Sequence, residues 1–205
     1  ITALYLLPSQ VAFFTMAKSQ GDLITRMLTN SITTILYPKI SNSDNQAHNC
    51  ELTLKSFRIP LLILVVIGSL IAFLIKPLVL FLYGIEYLPI IYPFLLMLPG
   101  LILLHSTTIF TSYYSGIGRP DLLPKISIIP LIIQILILVL LMPSLGLTAA
   151  ALSFLISSFI LSLIRIIVFY KLNDFHLERL LVNKEDLNLL INFLSQSIKA
   201  IKTKK

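Results

Sequence analysis

The chain has 205 residues, of which 57% are hydrophobic and only 12% charged, with a net charge of +7 and a mean hydropathy of +0.93. A soluble domain carries about 25% charged residues, so this chain lacks the polar surface to cover a water-exposed globule, and lipid is its expected solvent. The positive charges sit between apolar runs and in the tail, where the cytoplasmic loops of a membrane protein carry them, and this turns the basic balance away from nucleic acid.

Residues 1–10 read as the end of a preceding span and a turn broken by Pro8 and Ser9. The chain opens on Ile1 without a visible signal peptide, and that first residue is read as a truncation point. The first complete helix is expected from about Val11 to Tyr37, and it is the most polar one, holding Lys18, Asp22, Arg26 and Asn30 before Pro38. Lys39 to Lys55, rich in Ser, Asn and Asp, reads as a solvated loop. A second helix, Ile59 to Ile75, is a charge-free run bracketed by Arg58 and Lys76. Pro77 to Tyr92 is broken by Gly84, Glu86 and Pro89 and carries Tyr83, Tyr87 and Tyr92, so it is expected along a membrane surface.

A third helix, about Ile91 to Ser115, contains Pro99-Gly100, expected to kink it, and ends at Gly116–Pro120 with glycine available for a left-handed cap. A fourth runs from about Leu122 to Met142 with Pro130 and Gln134 inside, followed by a turn at Pro143–Gly146. The fifth, Leu147 to Tyr170, places Ala149, Ser153 and Ser157 on one face, a pattern that lets another helix approach closely. In the tail, Asn183 and the period of Leu187, Leu190, Ile191, Leu194, Ile198 and Ile201 describe an amphipathic helix with a basic end. It lies either on the inner leaflet or on the protein's own loops.

The expected fold is therefore an all-α polytopic transmembrane helix bundle of about five complete spans. It comprises a membrane part over residues 1–172 and a cytoplasmic tail over 173–205. Lys39, Lys55 and Arg58, then Arg119 and Lys125, then the tail cations alternate correctly against Lys76, which puts those loops and the tail in the cytoplasm.

Several stretches together resemble a known family. They are Tyr83-Gly84-Ile85-Glu86-Tyr87, Leu96-Met97-Leu98-Pro99-Gly100, Ser115 to Pro120, and Leu141 to Ala150. Val11 to Ala17 and Leu36 to Ser41 add to them. Their order and spacing are similar to the polysaccharide biosynthesis and O-antigen flippase branch of the multidrug/oligosaccharidyl-lipid/polysaccharide flippase superfamily. Leu145 and Thr148 stand where that branch usually has Tyr and Gly. The resemblance implies a two-lobed transporter of the multidrug-exporter fold, with this chain as most of its second half. It further implies an undecaprenyl-diphosphate-type sugar intermediate as substrate, moved across a bacterial inner membrane by alternating access, with membrane lipids and the missing N-terminal half as partners.

Five residues are candidates for substrate contact. Lys18, Asp22 and Arg26 share one helix face, rising about 6 Å per step. Isolated charge in hydrocarbon is costly, so they should face a bundle interior or a wet cavity. One positive charge is left over, which suits an anionic diphosphate. The other reading is a structural ion-pair ladder, or Lys18 snorkelling to the surface. His105 is read as a proton relay or substrate contact, or as a histidine bonded to a neighbouring helix. Arg165 is read first as snorkelling and second as cavity-lining.

Gln134 is expected as interhelical glue. Glu86 is read as solvated, and Arg119 and Asp121 as fixing a turn. Cys50 is read as inert. No phosphate-cradling loop, metal-ligand cluster or nucleophile triad is apparent, so no enzyme, cofactor or metal is expected. Three rivals stand beside the flippase: a cation-coupled multidrug exporter of the same fold, a membrane-embedded sugar polymerase or ligase, and a non-transporting half that supports assembly.

Overall fold

The computed structural model describes residues 8–173 and 177–180. All the regular structure among them is helical. We label the long helices α1 (Pro8–Ser41), α2 (Gln46–Leu82), α3 (Ile91–Gly116), α4 (Leu122–Leu145) and α5 (Leu147–Asn173). Short 3-10 helices occupy Ile85–Ile90 and Leu177–Leu180. The chain is thus an all-α helix bundle. Four segments are long and apolar enough to cross a membrane: α2, α3 with the 3-10 turn before it, α4 and α5. With 34 residues, α1 is long enough at about 51 Å, but its polar residues keep it out of that group, and it enters the bundle by packing rather than by greasiness.

The helices are longer than the breaks in the sequence imply. The expected loop from Lys39 to Lys55 is helical apart from residues 42–45, and α2 begins at Gln46, more than three turns before Ile59. The Ser/Asn/Asp-rich composition turns out to be cap chemistry. Asn45 accepts from the His48 N–H at 3.1 Å, and the Asn49 amide donates to the Ser43 carbonyl at 2.8 Å. Cys50, Leu54 and Phe57 then recur at helical period on the buried face. Helix α2 also continues through Pro77 to Leu82, and α4 through Pro143 to Leu145, so both expected breaks are corrected. Pro8 and Ser9 lie inside α1 rather than in a turn. A membrane bundle tolerates these prolines because neighbouring groups re-satisfy the freed carbonyls.

Two turns follow the sequence reading. Gly118 has φ +74°; its N–H reaches the Ser115 carbonyl and that of Arg119 reaches Tyr114, closing α3 with a Schellman motif. The 3-10 segment after Gly84 packs Tyr87 against Phe13 of α1, ring centroids 6.0 Å apart. The tail helix expected after Asn183 lies outside the described residues.

Helix α3 is the hub: α1, α2 and α5 pack around it, while α4 packs mainly on α5 and touches α3 only slightly. The burial pattern follows. Helix α3 buries fourteen residues, whereas α4 buries only Ile126, Pro130 and Met142 and turns most of its other apolar side chains outward, as a lipid-facing helix should. At Gly100 the backbones of α3 and α5 meet so closely that an added Cβ would lie 3.2 Å from the Leu155 Cα. Pro99-Gly100 therefore serves packing within an unbroken helix. Ala149, Ser153 and Ser157 are all buried on α5, as their spacing implies.

Two apolar clusters sit at the two ends of α3. Phe94, Met97 and Leu101 gather Ala17, Leu64 and Phe154 at one end, while Phe110, Tyr113 and Tyr114 gather Leu36, Phe57 and Phe169 at the other. Between them α3 carries His105, Ser106 and Thr107, all buried.

Candidate functional site

This polar layer is where the bundle holds its buried charge. Backbone hydroxyl bonds prepare α1 for it: Thr25 donates to the Gly21 carbonyl at 2.8 Å and Thr29 to that of Thr25 at 3.2 Å, so both hydroxyls stay satisfied while buried. Asp22, on the same stretch, points its carboxylate into the seam. Lys18 Nζ lies 2.8 Å from Asp22 Oδ2, and His105 Nε2 lies 3.0 Å from Asp22 Oδ1. The carboxylate is acceptor-only when ionised, so the imidazole carries its proton at Nε2 in this contact. The His105 side chain is 9% exposed, Asp22 20% and Lys18 38%, so the network runs from the interior toward an open edge.

Lys18 also sits 5.4 Å from the centroid of the Phe154 ring on α5, a cation–π contact that ties α1 to a third helix. Arg26, one turn beyond Asp22, is exposed, and with Ser19, Asn30 and Thr34 it forms a polar outer stripe on α1. Lys18 and Asp22 neutralise each other, and among the described residues Arg26 is the positive charge of this face left over.

Arg165 is not snorkelling. Its Nη1 donates to the Leu104 carbonyl at 3.1 Å and to Thr107 Oγ1 at 3.2 Å, and approaches Thr108 Oγ1 at 3.5 Å. Thr107 meets Ser162 Oγ at 3.1 Å, and Tyr114 donates to the Arg165 carbonyl. The guanidinium turns inward because three acceptors on α3 converge on its Nη1, which hydration at the surface would have to outbid. Arg165 therefore clamps α5 to α3.

Glu86 is exposed, as expected of a solvated carboxylate. Asp121 is held by Lys125 at 2.9 Å and more loosely by Arg119 at 4.0 Å, which fits the turn-fixing reading. The Lys125 hydrogen bond, first, and its charge hold the Asp121 carboxyl below the usual carboxylate range. Cys50 is buried. Among the described residues no cluster of His, Cys, Asp and Glu is placed to hold a metal ion.

The structure thus joins Lys18, Asp22 and His105, leaves Arg26 one turn away, and assigns Arg165 to a separate clamp. Residues 1–92 match the polysaccharide biosynthesis protein family. The matched stretch holds Lys18, Asp22 and Arg26 together with Val11 to Ala17, Leu36 to Ser41 and Tyr83 to Tyr87. His105, Arg165 and the later motifs lie beyond it. No curated protein and no solved structure matches the chain.

Sequence reasoning missed two features of the site. The pairing of Asp22 with His105 spans 83 positions and leaves no local pattern. Phe154 reads as one more apolar residue of α5, and nothing in the sequence marks it as the ring beneath Lys18.

Proposed function

We propose that this chain is part of a transporter for lipid-linked sugar intermediates of polysaccharide biosynthesis, a flippase and not an enzyme. The observation that carries the reading is the Lys18–Asp22–His105 network with Arg26 left over beside it. A membrane protein that keeps an unneutralised cation on a polar helix face supplies a counter-charge for an anionic group passing that face. A diphosphate-linked sugar carries such a group, and Arg matches it with two prongs. The family match over α1 and α2 supports polysaccharide biosynthesis as the setting.

In this reading the lipid tail stays in the bilayer while diphosphate and sugar pass the polar face of α1. The substrate is of the undecaprenyl-diphosphate type, and the protein works in a bacterial inner membrane with its tail in the cytoplasm. It moves substrate by alternating access against an N-terminal half that completes the cavity. The surplus of cation over carboxylate speaks against a multidrug exporter of cationic substrates on the same fold.

The test is export of the sugar intermediate in cells carrying the complete protein. Arg26→Ala and Lys18→Ala are expected to lower export at unchanged membrane abundance, with Arg26→Lys retaining more activity than Arg26→Ala. Undiminished export in both alanine variants would reject the reading.

A further inference from the structure

Asp22 gives each of its carboxylate oxygens to a different donor. Oδ2 faces Lys18 Nζ at 2.8 Å, and Oδ1 faces His105 Nε2 at 3.0 Å. Either contact can therefore break while the other holds. Lys18 is the outer partner, 38% exposed at the end of a flexible stem, whereas the imidazole is buried on the hub helix. With the proton on Nε2, the basic nitrogen of the ring is Nδ1, and among the described residues nothing bonds it.

The charges that act on this imidazole come from α1: Asp22, Arg26 and Lys18. On α5 the cation nearest this level is Arg165, whose Nη1 is engaged by the Leu104 carbonyl and the Thr107 hydroxyl. Helix α2 lies on α3 through Gly68, against Ile102, and through Phe57, against Phe110. Between those contacts its one charged residue is Arg58, next to Phe57 and so toward the Phe110 end. Helix α4 only brushes α3, and its Lys125 pairs with Asp121.

An anion arriving beside Lys18 competes with Asp22 for the ammonium. When Lys18 turns to the anion, the carboxylate keeps only the neutral imidazole as donor, which leaves a partly buried charge uncompensated. A proton taken from water onto Nδ1 restores the balance, because the His105–Asp22 contact then joins opposite charges. Before the exchange Lys18 and Asp22 cancel. After it His105 and Asp22 cancel, and Lys18 is free to neutralise one charge of the anion. Two cations that share one carboxylate thus link two ligands, and anion and proton each favour the other by the same factor.

We propose that His105 takes up a proton when an anionic diphosphate group binds at Lys18 and Arg26, so that the site loads its anion and a proton together. The proposal rests on the reading of this face as the diphosphate site. Lys18 and Arg26 touch the anion, and His105 is a positioning residue that acts through Asp22. Anion affinity is then greatest at low pH and falls as pH rises through the titration of the imidazole, by up to about tenfold per pH unit for one linked proton.

The probe is the symmetrical dimethyl ester of diphosphate, which itself exchanges no proton near neutral pH. The complete protein in nanodiscs is titrated with it by calorimetry from about pH 5.5 to 8, the imidazole range, in paired buffers of different ionisation heat. The difference between buffers gives the protons taken up per anion bound. The expected result is uptake of as much as one proton, with affinity falling as pH rises. His105→Gln retains an N–H for Asp22 but does not titrate, so uptake should vanish and the affinity become flat with pH. His48→Gln, exposed at the start of α2, should keep both. Lys18→Ala should bind more weakly and without uptake. Should His105→Gln lose its fold, Asp22→Asn takes its place: Lys18 then has no carboxylate to leave, and uptake and pH slope should both disappear. Binding to the unaltered protein with no uptake overturns the coupling and spares the diphosphate site. Uptake that survives His105→Gln or Asp22→Asn overturns it as well. Absence of binding at every pH removes the diphosphate reading, and the coupling with it.

Discussion

Asp22 on α1 and His105 on α3 are hydrogen-bonded at 3.0 Å across 83 positions of sequence, and the same carboxylate holds Lys18 at 2.8 Å. One side chain therefore serves as acceptor both for its own helix and for the hub of the bundle. Because α1 is too polar to insert on hydropathy alone, this contact is one of the features that makes it a bundle member.

The two residues should be energetically coupled. Asp22→Ala and His105→Ala are each expected to lower the thermal midpoint in nanodiscs, and the double variant should cost less than the sum. Polar contacts between membrane helices are worth about 0.6 kcal/mol on average and up to ~1.7 kcal/mol, so a coupling in that range is expected. Strict additivity would show that the contact does not hold in the membrane.

Arg165 should behave as a clamp and not as a surface anchor. Arg165→Lys keeps the charge but has the shorter side chain, so its ammonium falls short of the point from which Nη1 donates to both the Leu104 carbonyl and the Thr107 hydroxyl. The expected loss is about 1–3 kcal/mol, the scale of hydrogen bonds to charged groups, read from thermal unfolding. A snorkelling residue would tolerate the exchange, so an unchanged midpoint would return Arg165 to the membrane surface.

Gly100 should resist every larger residue. A Cβ there already falls 3.2 Å from the Leu155 Cα, a backbone atom that cannot swing aside. Gly100→Val is expected to cost about 1–3 kcal/mol through overpacking, whereas Gly118→Ala, in a turn with nothing within 4 Å, should act only through its positive φ of +74°. Equal effects at the two sites would contradict the close crossing of α3 and α5.

Orientation can be read from introduced cysteines. Native Cys50 is 7% exposed within an apolar cluster, so a bulky maleimide should not reach it from either side. In a Cys50→Ala background, Asn42→Cys, between α1 and α2, is expected to label only after permeabilisation. Glu86→Cys, beyond the other end of α2, should label in intact cells. The opposite pattern would invert the topology.

Hydrophobic composition by itself determined that this is a helical membrane bundle, because a bilayer demands greasy helices with internally satisfied backbones whatever their arrangement. The positions of Gly118 and the small-residue face of α5 were also readable, since a left-handed cap and a close approach each need a particular residue type at one place. Helix ends were not. Pro77 and Pro143 break helices in water, and the packed bundle carries helices through them.

Tertiary structure alone decided which partners the buried charges took. The spacing of Lys18, Asp22 and Arg26 placed them on one face, but spacing is silent about what stands opposite. His105, Phe154 and the inward turn of Arg165 became visible only when α1 and α5 closed on α3, because a charge in a low-dielectric interior is settled by the nearest acceptor or donor in space, wherever that lies along the chain.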